Sequence, residues 1–369
     1  MTPAMIRSWR RRLLAWYRAG HRTLPWRAEP GVAVNPYHVL VSEFMLQQTQ
    51  VATVIAYFQR FTARWPTVQA LAAAREKEVL TLWQGLGYYS RARNLLRAAR
   101  VIVTRYGGQL PGDVDALRQL PGVGRYTAGA LASIALGQRA AVVDGNVLRV
   151  LARVLAVTQP VDCGKTRAQM WAIAEKLVPG KYPGKLIPGE FIPGEAHGVT
   201  PWASATRVFP GGAGAKCAVC PLAKLCLARQ RGWVDRLPVK RKRVRPRAVE
   251  HHILAVECAG RWLLEQRAAH GLWARMWQFP TTEKLPPGAT AQQIHAWGRN
   301  QLGQSVAQVH EVERFTHQIT HRTVHFVLWR GRVARQVDIP TGTWRKLNDL
   351  NDLPLANPQR QAARAMGSV

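Results

Sequence analysis

The sequence predicts an all-α N-terminal half followed by an α+β C-terminal half. Three observations carry this. The chain has 369 residues, enough for two hydrophobic cores. Up to about Leu177, apolar residues recur three and four apart between loops rich in Gly and Pro, the pattern of short amphipathic helices. Beyond a basic run the pattern becomes short β-branched and aromatic stretches, His251 to Cys258, Arg261 to Gln266 and Thr323 to Arg330, which read as strands. The run between them, Arg236 to Arg247, is dominated by Lys and Arg and holds two prolines, so it reads as an extended linker. The expected division is a helical domain over 1–235, the linker over 236–247 and a second domain over 248–369.

Lys and Arg number 52 against 21 Asp and Glu, a formal charge of +31. Such an excess predicts a polyanionic partner and steep salt dependence; DNA fits it, and so does non-specific RNA binding. No stretch has the length or apolarity of a signal peptide or a membrane span, so a cytoplasmic, nucleoid-associated monomer is expected, with no membrane partner. Of five cysteines, three fall at Cys217, Cys220 and Cys226, a spacing suited to a metal or cluster and to a reducing compartment rather than to secreted disulfides.

The first element that carries chemistry opens at Asn35-Pro36, an N-cap followed by Pro at the first helical position. Glu43 lies four and three residues after Val39 and Leu40 and shares their inward face. Burial there raises a carboxyl pKa and makes a general acid; pairing with an Arg is the alternative. Next, Leu117 to Leu131 reads as helix, tight hairpin and helix, because Pro121-Gly-Val-Gly124 cannot continue a helix. Gly122, Val123 and Gly124 then offer main-chain N–H groups to a DNA phosphate, the alternative being an ordinary αα-hairpin. Asp144 immediately precedes another helix. Taken alone it reads as an N-cap, a role compatible with stabilising positive charge on a sugar. An acid at Glu43 and an ionised Asp144 make the split carboxylate pair that glycoside cleavage uses.

Leu24-Pro-Trp-Arg27, Ser42-Glu-Phe-Met-Leu-Gln-Gln-Thr-Gln50, Gly85-Leu-Gly-Tyr-Tyr-Ser-Arg-Ala-Arg-Asn94, Leu120-Pro-Gly-Val-Gly-Arg-Tyr-Thr-Ala128 and Val143-Asp-Gly-Asn146 together resemble the MutY family of adenine DNA glycosylases, in order and across nearly the whole first half. The resemblance implies a helix-hairpin-helix glycosylase domain of two helical lobes with an iron-sulfur loop, then a Nudix-like α+β domain. It implies that Glu43 protonates adenine N7, that Asp144 stabilises the sugar cation, and that Tyr126 and Asn146 support them. The related endonuclease III branch has a Lys where this chain has Tyr126, so the resemblance implies hydrolysis without strand cleavage.

A base inside a duplex must be flipped out. By resemblance Gln48 and Tyr88 enter the helix, while Arg22, Leu24 and Trp26 line the adenine pocket. Gly271-Leu-Trp-Ala-Arg-Met-Trp-Gln-Phe-Pro280 and Phe315-Thr-His-Gln-Ile-Thr-His321 resemble the module that reads 8-oxoguanine, with Thr316 in place of the family's Ser and His317 beside it. Trp273 and Trp277 are expected in the core. No Arg-Glu-x-x-Glu-Glu box is present, which argues against Mg²⁺-dependent Nudix hydrolysis. The implied partner is double-stranded DNA carrying A:8-oxoguanine or A:G pairs.

One stretch departs from the family. Relatives hold a [4Fe-4S] cluster with four cysteines spaced C-x6-C-x2-C-x5-C; Cys217, Cys220 and Cys226 match the last three, and the first position is Pro210. Residues 187–216 repeat Ile-Pro-Gly-Glu and are too rich in Gly and Pro for the helix that relatives place there. A divergent loop and a local reading-frame disturbance both account for this. The departure implies weaker adenine binding and an unstable or absent cluster, and leaves as the alternative a lesion-binding, catalytically impaired member.

Overall fold

The computed structural model describes residues 1–20, 23–27, 33–178, 215–241, 247–319 and 322–367. Arg22, all but the last two residues of the divergent stretch 187–216, and the motif residues Thr320 and His321 lie outside the described residues. The chain forms two compact units: Met1–Ala73 with Asn94–Lys242, and Ala74–Arg93 with Arg243–Val369.

In chain order the first helices are α1 (Pro3–Gly20), α2 (Pro36–Leu46), α3 (Val51–Arg64), α4 (Val68–Ala72), α5 (Glu76–Leu82), α6 (Ser90–Tyr106), α7 (Val114–Arg118), α8 (Arg125–Ala130), α9 (Gly145–Val154) and α10 (Gly164–Leu177). Helix α8 continues into a π-helical turn, Leu131–Ala135. Each boundary has a local cause. The Asn35 side chain accepts the N–H groups of Tyr37 and His38 at 3.0 and 3.3 Å, capping α2 as Pro36 enters it. The end of α10 is closed from a distance: Arg10 of α1 donates to the carbonyls of Lys176, Leu177 and Val178, each at 2.9 Å. Trp9 and Leu13 of α1 join Val150, Leu151, Met170, Leu222 and Cys226 in one core, tying the first helix to the cysteine segment.

Two glycines set how closely these helices approach. A Cβ on Gly122 (φ +80°) would meet Asn94 Cβ at 2.6 Å and Phe44 Cε1 at 2.9 Å, so the hairpin lies directly on the residue after Glu43. A Cβ on Gly129 would meet the Ala141 carbonyl oxygen at 2.5 Å, so α8 lies directly on the segment leading to Asp144.

In the other unit β1 (Arg247–Cys258), β2 (Arg261–Gln266), β3 (Trp277–Gln278), β4 (Thr281–Thr282), β5 (Ala307–Ile319), β6 (Arg322–Arg332) and β7 (Gly342–Arg345) form a mixed sheet along the order β3-β2-β1-β6-β5, with β4 on β1 and β7 on β2. Strands β1 and β6 are parallel from Arg247↔Arg322 to Glu257↔Arg332, while β5 and β6 are an antiparallel hairpin. Period-two alternation sends Ile253 and Ala255 to one face, where they pack with Ala362 and Met366 of α12 (Asn357–Gly367). Leu254 and Val256 go to the other, against Ile294 and Leu302 of α11 (Ala291–Leu302). The three strand stretches read from the sequence lie within β1, β2 and β6. Strand β5 was not read there, because its exposed positions carry charged and polar residues and it lacks a continuous apolar run.

Among the described residues no helix is long and apolar enough to cross a membrane.

Gly129→Ala places a methyl against a backbone carbonyl that cannot rotate away. A loss of about 1–3 kcal/mol is expected, read as a lower urea midpoint; unchanged stability refutes the packing argument.

Candidate active site in the helical unit

Glu43 sits on α2 with 8% of its surface exposed, among fully buried Val39, Leu40 and Phe44. Its pKa is pushed up to about 7, first by burial and next by the charge of Asp144; Arg27 opposes both. Arg27 is a residue whose role the sequence reading missed, although it ends the Leu24-Pro-Trp-Arg27 motif. Asp144 caps α9: its carboxylate accepts Asn146 N–H at 3.0 Å, Val147 N–H at 2.7 Å and the Asn146 amide Nδ2 at 2.8 Å. Arg149 Nη1 in turn donates to the Asn146 side-chain oxygen at 3.2 Å. The capping role and a charge-stabilising role therefore use the same oxygens in one fixed orientation.

Tyr126, on α8, is held well above the ordinary phenol value by the charge of Glu43, burial and Asp144, in that order. Its hydroxyl stays protonated and offers a donor between two carboxyl groups. Glu43, Tyr126 and Asp144 thus converge from α2, α8 and the start of α9, the three elements that Gly122 and Gly129 bring together.

The hairpin residues divide. Gly122 and Gly124 are exposed, whereas Val123 buries its side chain and donates its N–H to Leu120 O at 3.0 Å. That bond closes the turn, and the buried side chain anchors the hairpin. Gln48, exposed between α2 and α3, has φ +59°, a conformation that L side chains rarely hold without a cause. Leu24 and Trp26 are buried, the Trp26 ring meeting Phe58 edge-on at 5.2 Å.

In the second unit Tyr88 is 46% exposed with φ +48°. It lines a pocket of about 840 Å³ with Trp273, His317, Arg267, Lys284 and Arg322. Trp273 packs against the core of the sheet, its ring 6.3 Å from that of fully buried Phe326, and also forms pocket wall: it is half-buried, has φ +53°, and its ring lies 6.2 Å from that of His317. Burial lowers the His317 pKa and favours a neutral ring. The Thr316 hydroxyl is exposed and hydrogen-bonded to His325 Nδ1 at 3.0 Å, a cross-strand partner that no motif signalled.

Cys217, Cys220 and Cys226 lie on two short 3₁₀ turns and their flanks. Burial pushes the Cys220 thiol up to about 11 and raises Cys226 as well. Beside them Arg153 is 4% exposed; its Nε donates to Val234 O and Leu237 O, while its buried Nη1 has no hydrogen-bond partner among the described residues. The Arg153 charge is felt by Cys217, Cys226 and Asp235, and a cation there suits thiolates or an anionic group held by them. Among the described residues, however, no three His, Cys, Asp or Glu side chains gather closely enough to hold a metal ion.

Comparison with known proteins agrees with this geometry. Residues 41–178 match the family model of the HhH-GPD superfamily base excision DNA repair protein, and residues 252–365 match a NUDIX domain. An adenine DNA glycosylase of Rattus norvegicus is 34% identical across 98% of this chain, which covers 78% of the rat protein. That of Homo sapiens is 37% identical over 80% of this chain and 62% of its own length. Among solved structures, a thermostable thymine-DNA glycosylase superposes with a TM-score of 0.52 at 25% identity, over 61% of this chain and 97% of that one. The helical half is thus a helix-hairpin-helix domain and the C-terminal half a Nudix-like one.

A carboxyl raised from 4.5 to about 7 lowers folded-state stability by roughly 3 kcal/mol when ionised. The loss is absent below about 4.5, grows as pH rises, and is complete above about 7, because the unfolded chain releases this proton first. Glu43→Gln is accordingly expected to raise the melting temperature at pH 8 much more than at pH 5; equal gains at both refute the burial argument.

Proposed function

Because the chain belongs to the adenine DNA glycosylase family, we propose that it hydrolyses the N-glycosidic bond of adenine paired with 8-oxoguanine or guanine, with Glu43 and Asp144 as its working carboxyl groups. The observation that carries the reading is a buried, proton-retaining Glu43 within electrostatic reach of an Asp144 whose oxygens are fixed by three N–H donors.

Glu43 donates its proton to adenine N7, so the electrons of the C1′–N9 bond leave with a neutral base. Positive charge then develops across C1′ and the ring oxygen, and the Asp144 carboxylate stabilises it. Water adds to C1′ and passes its proton to the Glu43 carboxylate, restoring the acid and leaving an abasic site. Tyr126 contributes a hydroxyl and no amine, so no Schiff base forms and the strand stays whole. Gln48 and Tyr88 are assigned to insertion into the duplex, and Gly122 and Gly124 to the phosphate backbone. Leu24 and Trp26 are assigned to the adenine pocket, while Thr316 and His317 face the oxidised guanine.

Cys217, Cys220 and Cys226 are the residues we assign to the iron-sulfur group, with Arg153 offsetting its charge; such a group supplies a structural, charged anchor for this segment. No step of the hydrolysis is routed through it.

On duplexes containing A:8-oxoguanine, alkali cleavage reports abasic sites. Wild-type chain is expected to form them, with a single-turnover rate that is flat below about pH 7 and falls tenfold per unit above it, as Glu43 loses its proton. Glu43→Gln is expected to be slower by about 10³-fold, and borohydride to trap no covalent adduct. A wild-type chain that binds the duplex without forming abasic sites supports the impaired, lesion-binding reading instead.

Iron and sulfide analysis of anaerobically purified protein tests the cysteine assignment. Three thiolates predict a cluster whose visible absorbance is lost on exposure to air or chelator; four irons that survive both overturn the three-ligand account.

A further inference from the structure

The loop that carries Tyr88 is built from left-handed residues: Gly85 at φ 102°, Gly87 at φ 71° and Tyr88 itself at φ 48°. For glycine this conformation has no steric penalty; for a tyrosine it does, and it persists only where surrounding groups impose it. The imposing group is Arg91, just inside α6 and only 5% exposed. Its Nη2 donates to the carbonyls of both Leu86 and Gly87, at 3.0 Å each. Trp83 Nε1 donates to the same Gly87 oxygen at 3.2 Å, and the Arg91 backbone N–H donates to Tyr88 O at 2.9 Å. The guanidinium carbon also lies 5.5 Å from the ring centroids of both Trp83 and Tyr88. Burial lowers the Arg91 pKa to about 10, which leaves the group cationic at neutral pH.

We infer that Arg91 is a positioning residue that presets Tyr88 as a wedge for entry into duplex DNA. The inference rests on the assignment of Tyr88 to DNA insertion made above. A guanidinium that binds the loop's carbonyls and underlies the ring fixes the wedge before DNA arrives, so little conformational freedom is lost on insertion. Removing it leaves the chemistry at Glu43 alone and slows the unstacking that precedes chemistry.

The test is a double-mutant cycle in the full chain, using a duplex with A:8-oxoguanine and 2-aminopurine next to the lesion. Two readouts are followed: the fluorescence rise on unstacking and the single-turnover rate across pH. Arg91→Met and Tyr88→Ala are each expected to reduce unstacking and rate about tenfold, and the double variant to be no worse than Tyr88→Ala alone. The pH midpoint stays at the wild-type value in every variant. Arg91→Lys, which keeps charge and stem, is expected to recover part of the loss and serves in the cycle if Arg91→Met melts below the assay temperature. Losses that add, or a wild-type fluorescence rise in Arg91→Met and Arg91→Lys, overturn the positioning role. If Tyr88→Ala alone leaves both readouts intact, the assignment of Tyr88 to insertion is what fails.

Discussion

The helical half depends on close approach at two glycines. The hairpin before α8 lies at Gly122 against Asn94 of α6 and Phe44 of α2, and α8 lies at Gly129 against the backbone of the segment before α9, in both cases nearer than a Cβ allows. Packing at that distance is what gives Glu43, Tyr126 and Asp144 a common space; with larger residues the same three groups would sit on helices too far apart to interact. Gly122 and Gly124 are exposed, and the turn at Gly122 also seats the hairpin on α2 and α6.

Given that proximity, the electrostatics follow. Burial and the nearby charge of Asp144 together make Glu43 costly to ionise, so Glu43 keeps its proton. Asp144 has three N–H donors on its oxygens; Glu43 is enclosed by Val39, Leu40 and Phe44. The asymmetry arises from position in the helix. A carboxylate at an N-cap meets free backbone donors, and one in mid-helix has none from its own helix.

Much of this was legible beforehand because it is local. The Asn35 cap, the inward face of Glu43 and the Asp144 cap each follow from residues within four positions, and the structure holds all three. What escaped the sequence joins residues far apart or reverses a local preference. Arg27 acts on Glu43 across sixteen positions, Arg10 closes a helix that ends at Leu177, and Arg153 leaves a buried nitrogen facing cysteines beyond Lys216. The left-handed Trp273 packs on the core as its sequence suggests, and the turn geometry also brings it to the pocket wall beside His317, which the sequence did not signal. Strand β5 escaped because its outward positions are charged, which is what an edge strand needs to avoid pairing with other chains.

The C-terminal sheet carries a helix on one face and a pocket among its strands and turns. Helix α11 packs so closely that a Cβ on Gly298 would lie 2.8 Å from Leu254 Cδ2, and no residue of this helix is acidic. Without carboxylates the helix offers no hard-cation ligands, so its contribution is to bury one face of the sheet. Elsewhere in the unit Arg267, Lys284 and Arg322, with Glu283 as the one acid among them, line a pocket with Trp273 and His317. Cations around aromatic walls suit a base attached to a phosphate chain, whereas a diphosphate-cleaving site requires clustered acids to hold its metal. The sheet supplies rigidity to both arrangements equally, which is why function in this half has to be argued from the pocket and not from the strand order.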